Sequence, residues 1–176
     1  MPIRAAVLVA FALTISPIVA FAAGGHHSAA PASEGFERFK QLAGEWVAKS
    51  DKPQPGAPKM RAIFKVTSGG SAVSETMLPG TDHEMINMIH PDGDDIVLTH
   101  YCAIGNQPEM KAPDKIEGKD VAFKFVRCGN LKSPNDMHMR SVTYTFVDKD
   151  TLRTKWVTYD NGKPAGEMVF EMTRKK

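Results

Sequence analysis

The feature that most constrains the fold of this chain is a succession of short alternating segments separated by tight turns. Residues 60–67 alternate between apolar side chains such as Phe64 and Val66 and polar ones such as Lys65. Pairs typical of hairpin turns, such as Asp92-Gly93 and Asn161-Gly162, lie between neighbouring segments. A side-chain period of two bounded by such turns is typical of antiparallel strands. The pattern therefore predicts an all-β domain.

One helix and about ten strands are predicted. Residues 33–42 form a short helix, in which Ser33 is the N-cap and Phe36, Phe39 and Leu42 make an apolar stripe. The other predicted strands are residues 44–49, 72–78, 83–90, 95–102, a short one around 110, 121–128, 137–147, 152–159 and 164–174, with a weak one at 115–118. Residues 51–59, which contain three prolines, form a loop. An up-and-down barrel removes the exposed edges of such a meander, and an open sandwich is the alternative.

The N-terminus has the pattern of a secretory signal peptide. Arg4 precedes the apolar residues 5–22, and Ala20-Phe21-Ala22 matches the small-x-small cleavage site. A membrane anchor is the competing interpretation, but the break at Pro17 and the polar segment that follows favour cleavage. We predict a signal peptide at 1–22, a flexible leader at 23–32 and one barrel domain at 33–176. The mature protein is then periplasmic or secreted, without stable membrane insertion.

Charge and cysteine content narrow the interpretation further. The net charge of +2 is spread along the chain, so no basic field for nucleic acid is expected. The sequence leaves the oligomeric state open. Two cysteines in an exported chain predict a disulfide between Cys102 and Cys128, with separate thiols as the alternative.

The segment 98–108 concentrates the most chemistry. His100 and Cys102 are two residues apart and share a face of the predicted strand, whereas Tyr101 faces the other way. If the cysteines face the interior, His100 does too; if the aromatic face of Phe123 and Phe125 is interior, a bridged Cys102 and His100 point outward. The sequence leaves both arrangements open.

A buried carboxylate is predicted at Glu75, which lies between Val73 and Met77 on one strand face. Such a group is costly unless paired, so Arg127, Arg140 or Lys155 is the expected partner. The complete set of predicted ligand contacts is Glu75, Met85, His100, Tyr101, Asn106, Gln107 and Trp156.

A short helix leading into Gly44-x-Trp46 on the first strand resembles the calycin superfamily, which includes lipocalins and fatty-acid-binding proteins, and more closely the nitrobindin-like bacterial barrels. The resemblance implies that Trp46 packs across the closed end of the barrel and that the interior binds a small apolar or amphipathic molecule. Nitrobindin-like barrels bind haem through a histidine near the C-terminal strand, and residues 167–176 contain no histidine.

The predicted function is therefore an exported binder of a small apolar or amphipathic ligand. One alternative is a periplasmic enzyme that uses His100 and Glu75 as acid/base groups. Another is a haem or copper protein centred on His100 or on Met137-His138-Met139. His83-Glu84 does not start a zinc-protease motif, because Asn87 occupies the position of the second histidine. No complete set of metal ligands, no cofactor and no catalytic residue is assigned.

Overall fold

The computed structural model describes residues 33–49 and 59–176. Ten antiparallel strands form a closed barrel in which each strand pairs with its neighbours in the chain and β1 pairs with β10. The predicted all-β, up-and-down barrel with one short N-terminal helix is confirmed. The predicted signal peptide, the leader and most of the 51–59 loop lie outside the described residues.

The strand bounds follow the alternation closely. The elements are α1 Glu34–Lys40, β1 Gly44–Ala48, β2 Arg61–Thr67, a 3-10 turn at Ser68–Gly70, β3 Ala72–Met77, β4 Met85–Asp92, β5 Asp95–Tyr101, β6 Gln107–Pro113, β7 Asp120–Gly129, β8 His138–Asp148, β9 Thr151–Asp160 and β10 Lys163–Arg174. The weak segment at 115–118 is not a strand, and β4 begins two residues later than predicted.

Helix α1 closes one end of the barrel. Ser33 Oγ accepts a hydrogen bond from the N–H of Phe36, so the predicted N-cap is confirmed. Asp114 Oδ1, from the loop after β6, accepts from the N–H groups of Gly35 and Phe36. Phe39 is fully buried and makes edge contacts with aromatic rings of the interior. Two independent acceptors therefore hold the start of the helix over the barrel.

The barrel closes through a short pairing of β1 with β10. Trp46 pairs with Arg174 in that ladder, and its indole N–H donates to the carbonyl of Leu42 at 2.7 Å. The Arg174 guanidinium lies over the Trp46 ring at 4.4 Å from its centroid. Trp46 is thus buried at the end that α1 covers.

The predicted disulfide is not formed, since Cys102 and Cys128 are both free cysteines. Cys102 follows the end of β5, whereas Cys128 lies in β7 opposite Pro108 of β6. Strands are about 4.8 Å apart, so cysteines two strands apart exceed the span of a disulfide. Within the described residues, no helix is long and apolar enough to cross a membrane.

Candidate functional site

A row of three polar residues lies directly across β3, β4 and β5. Glu75 pairs with Asn87, and Asn87 pairs with His100. Residues opposite one another in an antiparallel ladder share a face of the sheet. Each of the three alternates with buried apolar side chains, so all three side chains point into the barrel, and Glu75 and His100 are only 1% exposed.

A tyrosine from β8 completes the row. Tyr144 Oη donates a hydrogen bond to Glu75 Oε2 at 2.5 Å, and Asn87 Nδ2 donates to the same oxygen at 2.6 Å. Asn87 Nδ2 also lies 3.2 Å from Tyr144 Oη. Glu75 Oε2 thus accepts from two neutral donors, and through it β3 contacts β8.

The amide of Asn87 sets the tautomer of His100. Its Nδ2 group is used by Glu75 and Tyr144, so Oδ1 faces His100 Nδ1 at 2.6 Å as an acceptor. His100 Nδ1 therefore carries the proton, and Nε2 of the neutral ring holds a lone pair. Burial lowers the pKa of His100 from its usual 6.5 to about 4, which keeps the ring neutral near pH 7.

Two residues of β9 border this row. The ring centroids of Trp156 and His100 are 5.0 Å apart, and Trp156 is 6.5 Å from Tyr144. Thr154 lies opposite Tyr144 in the ladder and is buried. We call these six residues the interior polar cluster: Glu75, Asn87, His100, Tyr144, Thr154 and Trp156.

Four buried polar atoms of this cluster have no hydrogen-bond partner among residues 33–49 and 59–176. They are Glu75 Oε1, His100 Nε2, Thr154 Oγ1 and Trp156 Nε1. Buried polar atoms in folded proteins are nearly always paired with protein or ordered water, and leaving one unpaired costs about 1–3 kcal/mol. Four such atoms on adjoining side chains indicate a place where another molecule supplies the partners.

Burial also sets the charge state of the acidic members. It raises the pKa of Glu75 to about 7, and the hydrogen bonds from Tyr144 and Asn87 oppose that rise. Burial, together with the nearby Glu75 carboxylate, raises the pKa of Tyr144 well above its usual value. Near neutral pH the cluster therefore contains a neutral phenol, a neutral imidazole and a carboxyl group that holds its proton more strongly than an exposed one.

One inward-facing position next to this cluster is exposed to solvent. Met168 of β10 is paired with Trp156 and shares its face, yet the side chain of Met168 is 39% exposed. Beyond the end of β5, opposite the helix end, a surface pocket of about 680 Å³ is lined by the 104–106 loop and residues 130–137. Asn106 is among its lining residues, and its Nδ2 donates to the carbonyl of Met137 at 2.8 Å.

The structure places the predicted site residues in three different parts of the barrel. Glu75, His100 and Trp156 belong to the interior polar cluster. Tyr101 is 49% exposed on the outer face of β5 and is therefore not part of that cluster. The others lie towards the end of the barrel opposite α1: Met85, which packs against the core, Asn106 at the surface pocket and Gln107, whose Nε2 donates to the carbonyl of Gly105.

The prediction that Arg127, Arg140 or Lys155 pairs with Glu75 is wrong. Arg127 pairs with Glu109 and Lys155 with Glu167, and neither basic side chain is buried. Arg140 lies over the ring of Phe125, 4.0 Å from its centroid. The partners of Glu75 are instead the neutral side chains of Asn87 and Tyr144.

Asn87, Tyr144 and Thr154 are site residues that the sequence analysis missed. Each occupies an inward position of its strand among apolar neighbours, as Glu75 does. That alternation is the signal that identifies all three. Among the described residues, no group of three or more His, Cys, Asp or Glu side chains is arranged to hold a metal ion. Both ring nitrogens of His138 already have neighbours, the carbonyl of Asp136 and Arg140 Nη1.

Comparison with known proteins supports the fold. No protein-family model matches this chain, and no curated protein matches it by sequence. The crystal structure of Rv2717c from M. tuberculosis is similar, with a TM-score of 0.54 and 12% sequence identity over 84% of this chain and 99% of that one. At this identity the similarity shows a shared barrel fold, a fold that can bind ligands.

Proposed function

We propose that this protein is an exported β-barrel that binds a small amphipathic molecule in its interior. The polar group of the ligand lies against the interior polar cluster, and its apolar part lies among the neighbouring methionines. The observation that carries this proposal is the set of four unpartnered polar atoms on Glu75, His100, Thr154 and Trp156. A ligand that meets them removes a desolvation cost that the free protein bears.

The surroundings of the cluster suit such a ligand. Met77 and Met85 lie on the same strands as Glu75 and Asn87, and flexible thioethers adapt to apolar groups of varied shape. The exposure of Met168 beside Trp156 supports a path along β10 by which the ligand enters the interior from solvent. A mostly apolar interior with a few convergent polar groups is typical of small-molecule sites.

The N-terminal sequence supports export. Arg4, the apolar residues 5–22 and the Ala20-Phe21-Ala22 motif match a signal peptide, so the ligand is met in the periplasm or outside the cell. The up-and-down order of the strands and Trp46 on β1 support a calycin-like barrel as the setting of the site.

Native mass spectrometry of protein isolated from its own source tests the proposal. We expect an additional mass of a few hundred daltons that is lost on denaturation. His100→Ala should reduce the occupied fraction, whereas Tyr101→Ala, a neighbour on the same strand that faces outward, should retain it. A wild-type protein that carries no ligand and shows no saturable binding in a ligand-observed NMR screen contradicts the proposal.

An acid/base enzyme is the second candidate, and the raised pKa of Glu75 favours it. A carboxyl group with a pKa of about 7 and a free Oε1 is a suitable proton donor or acceptor near neutral pH. Glu75→Gln distinguishes the candidates because it keeps the shape but cannot exchange the proton. An enzyme loses turnover of the retained molecule, whereas a binder shows none in the wild type.

Haem binding fits this interior less well. His100 Nε2 has the lone pair that an axial ligand needs, but the ring is packed against Trp156 and nearly fully buried. Addition of haem is therefore expected to leave the broad Soret band of free haem unshifted. A shifted and sharpened Soret band that His100→Ala abolishes would establish haem binding instead.

A further inference from the structure

The unpartnered atoms of the interior polar cluster are mainly acceptors. Glu75 Oε1 accepts when ionised, and His100 Nε2 accepts because the proton is on Nδ1. Thr154 Oγ1 accepts through either lone pair. Trp156 Nε1 is the one atom of the four that only donates. A ligand group that satisfies the three acceptors must carry several donor hydrogens, whereas Trp156 Nε1 needs an acceptor.

In the part of the chain that the structure describes, Glu75 has no counter-charge. The groups that act on its carboxylate within the described residues are the neutral donors of Tyr144 and Asn87. None of the described Lys and Arg side chains is buried. An ionised carboxylate in such an interior is costly unless a positive charge pairs with it. Both donors converge on Oε2, so Oε1 is left for a further partner.

Aromatic rings lie beside Glu75 and His100. Trp156 lies 5.0 Å from the ring of His100 and 6.5 Å from that of Tyr144. The faces of Trp and Tyr rings attract cations through their quadrupoles, and the attraction is strongest in desolvated sites. A carboxylate beside aromatic rings therefore favours a cationic group over a neutral one of the same size.

We infer that the polar group of the ligand is a primary ammonium, with Glu75 Oε1 as its counter-charge and His100 Nε2 and Thr154 Oγ1 as its other acceptors. This inference rests on the proposed function and names the ligand class: a small amine with an apolar body. The three N–H hydrogens of an ammonium match the three acceptors in number. A carboxylate is rejected, because it brings a second negative charge to Glu75 and no hydrogen for His100.

Three probes with one seven-carbon chain test the inference: heptylamine, 1-heptanol and heptanoate. Isothermal titration calorimetry near pH 7.5 should give the order amine, alcohol, carboxylate from tightest to weakest. Glu75→Gln should weaken heptylamine by at least about 100-fold, because breaking a buried ion pair costs several kcal/mol. The same variant should change 1-heptanol by less than about tenfold. Tyr101→Ala should leave all three affinities unchanged.

The outcomes separate the inference from the proposed function. If 1-heptanol or heptanoate binds more tightly than heptylamine to the wild type, the amine assignment is wrong and the binding function stands. If none of the three binds saturably, the amine assignment is contradicted, and the native mass spectrometry described above decides the proposed function. If Glu75→Gln does not fold, the order of the probes on the wild type and on His100→Asn decides. The Asn side chain retains a donor for Asn87 but lacks the acceptor Nε2.

Discussion

Glu75 and His100 respond to burial in opposite senses, although they lie in one row of the sheet. Burial raises the pKa of Glu75 from 4.5 to about 7 and lowers that of His100 from 6.5 to about 4. Between about pH 4.5 and 7 the folded state holds a proton on Glu75 that the unfolded chain has released. Between about pH 4 and 6.5 the unfolded chain holds a proton on His100 that the folded state lacks.

These two differences oppose each other in the pH dependence of stability. The free energy of unfolding falls with rising pH where the folded state binds more protons, and it rises where the unfolded state binds more. Glu75 therefore removes about 3 kcal/mol as the pH rises from 4.5 to 7, and His100 adds about 3 kcal/mol as the pH rises from 4 to 6.5. From pH 4.5 to 6.5 the two effects nearly cancel.

Replacing one of the two residues at a time should reveal the pH dependence of the free energy of unfolding that the other residue causes. In Glu75→Gln only the His100 effect remains, so the free energy of unfolding should rise with pH from 4 to 6.5. In His100→Asn only the Glu75 effect remains, so it should fall as the pH goes from 4.5 to 7. Urea denaturation at half-unit pH steps measures both. Curves that run parallel to that of the wild type would show that neither group titrates abnormally.

Which residues face the interior could be predicted from the sequence better than which residues they contact there. Glu75, His100 and Trp156 follow from alternation within single strands. The contacts Glu75–Asn87–His100 and Glu75–Tyr144 depend on which residues lie opposite one another and on which strands meet across the interior. Neither can be read from one strand. The assumed disulfide caused the remaining ambiguity, because it tied the orientation of His100 to that of Cys128.

At the scale of the elements, strands could be predicted to within a few residues, whereas irregularities could not. The ladder between β6 and β7 shifts its register between Glu109 and Met110. A bulge inserts an extra residue and resets which side chains face inward beyond it. Because of this shift, the simple alternation that starts at Phe123 no longer gives the face on which Cys128 lies. The strand β6 also starts at Gln107, earlier than expected, since Pro108 is accommodated within the ladder.

In helix α1, the packing around Gly35 predicts a change in stability opposite in sign to the one that helix propensity predicts. A Cβ at Gly35 would lie 2.6 Å from the carbonyl oxygen of Asp114 and 2.7 Å from Ile96 Cδ1. Alanine is better than glycine in a helix by about 1 kcal/mol, but overpacking against backbone costs about 1–3 kcal/mol. Gly35→Ala should therefore lower the melting temperature. Glu34→Ala, on the exposed side of the same helix, is the control and should change stability by less than about 0.5 kcal/mol.

An unchanged or raised melting temperature for Gly35→Ala would mean that α1 can move away from the barrel without loss. The close approach of the helix backbone to the loop after β6 would then not contribute to closing this end.

At the scale of the whole molecule, barrel closure depends on the last strand. β1 has five residues, and Trp46, Val47 and Ala48 have ladder partners in β10. The pairing joins the two ends of the domain, so its loop-closure entropy must be offset by contacts made at that seam. Arg174 supplies several of them, since its guanidinium donates at 2.7 Å to the carbonyls of Ala43 and Gln41.

Arg174→Ala should therefore destabilise the whole barrel rather than fray its end. Hydrogen bonds from a charged group contribute about 1.5–3 kcal/mol, and the loss of stacking on Trp46 adds to this. Arg174→Lys should restore less than half of the loss, because an ammonium cannot reach two carbonyls and cover the ring at once. Arg153→Ala, at an exposed position of β9, is the control.

Urea unfolding of Arg174→Ala, followed by tryptophan fluorescence, should show one transition with a lower midpoint and an unchanged slope, because a closed sheet without edges unfolds as a unit. A second transition at low urea, with the main midpoint unchanged, would mean that β1 and β10 separate independently and that closure does not stabilise the rest of the barrel.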